Sequence, residues 1–213
     1  MKTTKKALLL TVCALVLVVA TVMGTMAYLT AKDDVKNTFA AAQLLKGDFV
    51  LTEHKLERNA TTGVQSLSDS ETTDTNDYKI VPGASLPKDP FAQFTLAETA
   101  YLFVAVDNNL PTGMTFAMDD NWKELKNGED QIEINGMPVW VYGTEALEAK
   151  EEAYTINIIK DQKVNVAGDI NLEPGDNGQA VGGTLNFYGY LVQGQTFDSP
   201  LAAWTAWQDS LKA

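Results

Sequence analysis

"ETAYLFVAVDNN", Glu98 to Asn109, is the stretch on which the fold turns. Its centre, Tyr101 to Val106, is an unbroken apolar run closed by Asp107, Asn108 and Asn109. A run of this length fits a central strand of a β-sandwich; on periodicity alone a buried helix segment would read the same way. The flanking sequence decides between them, because it is written in short alternating runs separated by turn residues.

Upstream, "YKIVPGASLPKDPFAQFTL" (Tyr78 to Leu96) predicts a short strand, a Pro-Gly turn and a strand over Phe91 to Leu96. "DFVLTEHKL" (Asp48 to Leu56) alternates through Phe49 and Leu51, and less cleanly Leu56, as a half-buried strand does. Between them, Glu57 to Asp77 is rich in Ser, Thr, Asn and Asp and predicts a loop. Downstream, strands are expected at Met114 to Met118, Gln131 to Ile134, Val139 to Tyr142, Thr155 to Ile159 and Thr184 to Gln193. Asn135-Gly136 is a strong hairpin signal between the second and third of these. The C-terminus changes period: Ser199 can cap, Pro200 suits a first turn, and Leu201, Trp204, Trp207 and Leu211 recur at helical spacing. Seven to nine short strands with one terminal helix make an all-β protein, a jelly-roll-like antiparallel β-sandwich with a short C-terminal helix.

Composition narrows the function classes. The chain of 213 residues carries a net charge of −12, so nucleic acid and anionic lipid are poor partners. The lone cysteine, Cys13, lies in an N-terminal apolar run, leaving no disulfide, thiolate cluster or cysteine nucleophile for the rest of the chain. His54 is the single histidine, which denies the chain a multi-imidazole zinc site, and it is expected at the surface of an edge strand. No Gly-x-Ser-x-Gly turn accompanies it, so no catalytic residue is assigned. "DINLEPGDNG" (Asp169 to Gly178) places Asp169, Asn171 and Glu173 at alternate positions, but Pro174 stands where a calcium loop needs glycine and the late bidentate glutamate is absent. It reads as a solvated acidic loop, as do Asp33-Asp34 and Asp119-Asp120, and no metal or cofactor is expected.

The N-terminus has the three parts of a secretory signal: Lys2, Lys5 and Lys6, the apolar run Ala7 to Met23, and the small residues Thr25 and Ala27 before a cut that would free Tyr28. The run is long enough that an uncleaved membrane anchor is the alternative. Cleavage after Ala27 leaves 13 basic against 28 acidic residues, a net charge of −15. The chain then divides into a signal peptide (1–27), an N-terminal extension (28–47) and a β-sandwich domain (48–213).

Four stretches in order, "GTMAYLTAKDDVKNTFAAAQL", "YKIVPGASLPKDPFAQF", "ETAYLFVAVDNN" and "YGYLVQGQTFDSPLAAW", resemble the secreted TasA and camelysin family of Gram-positive bacteria. Leu29 and Thr196 depart from the family's pattern, which has an aromatic residue and a glycine there. The resemblance implies export through a SipW-type signal peptidase and a jelly-roll sandwich. It also implies a matrix protein of biofilm fibres that assembles with itself by donating its freed N-terminal segment as a strand, other matrix proteins being further partners. The donor would run from Tyr28 to about Leu45, with Val35, Asn37 and Phe39 as the alternating positions and Val35 and Phe39 as anchors; an ordinary edge strand folded into its own domain, or a disordered leader, is the alternative for this segment. A secreted, non-polymerising adhesion module is the alternative. The metallopeptidase activity ascribed to camelysins has no support in a chain with one histidine and no zinc motif.

Overall fold

The computed structural model describes residues 30–33, 44–125, 132–134, 137–172 and 182–211. They form an all-β protein with every strand pair antiparallel and one α-helix at the C-terminal end. The strands are β1 (Thr30–Asp33), β2 (Val50–Arg58), β3 (Gln65–Thr72), β4 (Ser85–Pro87), β5 (Phe91–Phe94), β6 (Ala100–Asn108) and β7 (Met114–Thr115). There follow β8 (Lys123–Glu124), β9 (Ile132–Ile134), β10 (Met137–Gly143), β11 (Tyr154–Asn157), β12 (Lys163–Val166), β13 (Leu185–Gln193) and the helix α1 (Pro200–Ser210). The first sheet runs β1-β13-β6-β10-β8 with β9 on β10; the second runs β11-β5-β2-β3; a small third sheet runs β4-β12-β7.

β6 shows why its sequence is apolar without a break. Ala100, Leu102, Val104 and Val106 point into the main core, while Tyr101, Phe103 and Ala105 point the other way into a second cluster under α1. Successive side chains of a strand face opposite sides, so a strand covered on both faces must be apolar at every position. β13 pairs with β6 along its whole length, from Leu185 opposite Asn108 to Gln193 opposite Ala100. The main core fills the space between this sheet and the other two, with Phe49, Phe94, Ile156, Ile158 and Val164 from the opposing side. Gly189 of β13 is required there: a Cβ would lie 2.6 Å from Cζ of buried Phe49.

α1 starts as its sequence dictates. Ser199 Oγ accepts the Ala202 N–H at 3.2 Å, and Pro200 occupies the first turn, where its missing N–H costs nothing. The buried face is Ala203, Trp204 and Trp207; the two indole rings lie 4.7 Å apart and meet Phe103 and Tyr190 at centroid distances of 4.8–5.6 Å. Leu211, expected in the same stripe, is 64% exposed because it is already the C-terminal cap.

Three other expectations change. The Glu57–Asp77 segment is not simply a loop: β3 returns along β2 as a hairpin, tightened by the Asn59–Gly63 turn, so β2 and its His54 lie inside the sheet rather than on its edge. The polar composition of β3 is that of an outermost strand with a solvated face, and its charges discourage pairing with another chain. Tyr78 to Ile80 forms no strand. Leu44 and Leu45, placed in the extension by the sequence, are buried in the core; Leu45 bridges Leu96 and the Leu44 carbonyl accepts the Ala97 N–H at 2.9 Å. Ile134 stands opposite Met137, the register that a two-residue Asn-Gly connection demands.

Candidate functional site

Two places on the fold carry the chemistry. The first is the outer edge of the first sheet. There β1 lies antiparallel on β13, Thr30 opposite Val192 through Asp33 opposite Gly189. The pairing is made by backbone groups, so it fixes register without demanding a particular sequence in β1. The cleavage residues Thr25, Ala27 and Tyr28 and the donor positions Val35, Asn37 and Phe39 lie outside the described residues. Of the proposed donor segment, the structure describes only β1 and the two core leucines that end it.

The second is a polar cluster where β2 meets the loop after β4. β2 carries a register shift between His54 and Leu56, which leaves ladder groups without a strand partner. Asn76 supplies the partners: its Oδ1 accepts the Leu56 N–H at 2.8 Å and its Nδ2 donates to the His54 carbonyl at 2.9 Å. The same Nδ2 donates to Glu53 Oε1 at 2.9 Å, and Lys88 Nζ donates to Glu53 Oε2 at 2.8 Å. The Lys88 and Glu53 side chains are only 13% and 12% exposed. The Tyr78 and Phe187 rings stand 5.3 and 6.0 Å from the Lys88 nitrogen, within cation–π range. The Tyr78 hydroxyl is buried beside Asn76 without a well-formed hydrogen bond among the described residues. Burial, then the charges of Glu53 and Asp89, push its pKa up and keep it neutral.

On the other side of Lys88, buried Asp89 accepts the His54 N–H at 3.1 Å through Oδ1 and meets His54 Nδ1 at 2.6 Å through Oδ2. That hydrogen bond, with the charges of Asp89, Glu71 and Asp69, raises the His54 pKa against the opposing effect of burial. The ring rests against Phe91 at a centroid distance of 5.5 Å. A histidine held by a buried aspartate is two parts of a nucleophilic triad, yet no hydroxyl among the described residues is hydrogen-bonded to the ring. The pair ties β2 to the β4–β5 connection. Thus "LPKDPF" has a physical explanation: Lys88 and Asp89 grip β2 from one loop, and the Pro90 carbonyl accepts the Ile158 N–H at 2.9 Å.

Among the described residues no group of three or more His, Cys, Asp or Glu side chains could hold a metal ion, and no helix is long and apolar enough to cross a membrane. Asp119 and Asp120 are engaged locally, the first with Asn121 and the second with Lys160 at 2.6 Å. The calcium-like stretch lies largely outside the described residues, as does the apolar run Ala7–Met23. Comparison of the chain with known protein families, curated proteins and solved structures finds no match.

Proposed function

We propose that the protein is an exported structural subunit of an extracellular matrix, assembling with copies of itself by exchange of its N-terminal strand. The observation that carries this reading is β1: a short strand just past the expected cleavage junction, seated on the open side of β13 by backbone pairing. A strand held this way can be replaced by the same strand of a second copy in the same register, because a backbone ladder does not distinguish its own chain from a neighbour's. Release of the signal at Ala27 by a SipW-type peptidase would free Tyr28 and the segment behind it. Accessory matrix proteins with a similar strand would be accepted at the same edge.

The test is a pair of purified chains, one beginning at Tyr28 and one at Ala42, imaged by negative stain after incubation under identical conditions. The shorter chain must keep Leu44 and Leu45, since both are in the core. Fibres from the first chain and none from the second are expected. Equal fibre formation would rule out strand exchange, and a folded monomer from both would favour the non-polymerising adhesion module.

A further inference from the structure

The geometry around Glu53 points to a covalent bond: we propose that Lys88 and Asn76 are joined by a self-formed amide, with Glu53 as the proton carrier. One carboxylate bridges the two nitrogens concerned, Lys88 Nζ on Oε2 and Asn76 Nδ2 on Oε1. The Asn76 amide cannot be turned round, since its oxygen accepts a backbone N–H while its nitrogen donates to two oxygens. A nucleophile, an electrophile and a proton carrier thus share a site whose lysine and glutamate are nearly closed to water, and such fixed proximity replaces a bimolecular encounter.

The step balances without a co-reactant. The Lys88 ammonium passes a proton to Glu53, and the neutral amine attacks Cγ of Asn76. The carbonyl electron pair moves onto Oδ1, which accepts the Leu56 N–H, so a backbone donor already points at the oxygen where charge develops. The Glu53 carboxyl returns a proton to Nδ2, the Cγ–Nδ2 bond breaks, and ammonia leaves. The surplus proton on the new amide nitrogen departs through Glu53 to the ammonia. Lysine ammonium and asparagine amide become an amide and ammonium, with nothing oxidised or reduced. The Tyr78 and Phe187 rings shield the amine and stabilise its cation, and Glu53, hydrogen-bonded to it at 2.8 Å, is placed to take its proton. The bond would anchor the end of the β2–β3 hairpin excursion to the loop that grips β2.

Intact mass of the full chain, with its N-terminus read from the terminal peptide, tests this. The wild-type chain should be lighter than its sequence by one ammonia. A tryptic digest should contain residues 59–79 joined to the peptide that begins at Ile80, trypsin failing to cut at Lys88. Glu53→Gln and Lys88→Met should each restore the full sequence mass and release 59–79 as a free peptide. A wild-type chain at its full mass overturns the proposal. Ammonia loss that persists in Lys88→Met marks a cyclised asparagine instead and overturns it too. The wild-type peptide map decides on its own if either variant fails to fold.

Discussion

At the scale of single residues, Asp89 has the largest consequence for its size. Its carboxylate is buried and receives both the backbone N–H and the ring nitrogen of His54, so truncation strands a main-chain donor and frees the ring. Hydrogen bonds to a charged group are worth about 1.5–3 kcal/mol, and Asp89→Ala should lose stability in that range by urea titration. His54 contributes in a pH-dependent way. Its folded pKa lies above its ordinary value of 6.5, through the Asp89 bond and the facing carboxylates of Glu71 and Asp69. A raised pKa means that the folded state binds the proton more tightly, so this contribution is complete below about pH 6.5 and fades as pH rises through the folded value. Its size is limited by solvent, since the ring is about one-third exposed. The wild type should therefore lose stability relative to His54→Gln across that window. A constant difference between the two from pH 5.5 to pH 8.5 would show that the pair does not titrate on unfolding.

Among elements, α1 decides whether the first sheet can be apolar on both faces. Trp204 is 1% exposed and touches Phe103, Tyr190 and Trp207. Trp204→Ala should cost about 3–5 kcal/mol by denaturant titration, whereas Leu211→Ser should change stability by about 0.5 kcal/mol or less. Comparable losses would mean that the helix lies on a different face. The contrast also shows what the sequence could and could not announce. β6 was legible because complete burial leaves no polar position, and the β9–β10 hairpin because Asn-Gly has few other uses. β3 was not, because an outermost strand needs apolar side chains only weakly, and its Ser, Asp, Thr and Glu read like a loop. β12 was missed for its brevity, although buried Val164 and Val166 alternate across Asn165. The Glu53–Asn76–Lys88 cluster was hidden for another reason. Its members are isolated polar residues on three separate segments, with no spacing that marks them, and only the return of β3 brings Asn76 onto β2.

For the whole molecule, the relevant quantity is charge. A chain cut after Ala27 carries −15, so two copies repel before any strand can be exchanged between them. The repulsion extends about 30 Å at 10 mM ionic strength and about 8 Å at 150 mM, beyond which exposed charges are screened. The proposed exchange would have two parts: release of β1 from β13 within one molecule, and capture of the vacated edge by a neighbour. Release is short-ranged and almost indifferent to salt, while capture requires two acidic surfaces to touch. If capture limits the rate, assembly of the Tyr28 chain should accelerate by about tenfold or more between those two salt concentrations and depend on protein concentration. Light scattering at fixed pH measures both. A rate independent of salt and of protein concentration would instead make release of β1 the slow step, with control in the β1–β13 ladder rather than in the charge of the surface.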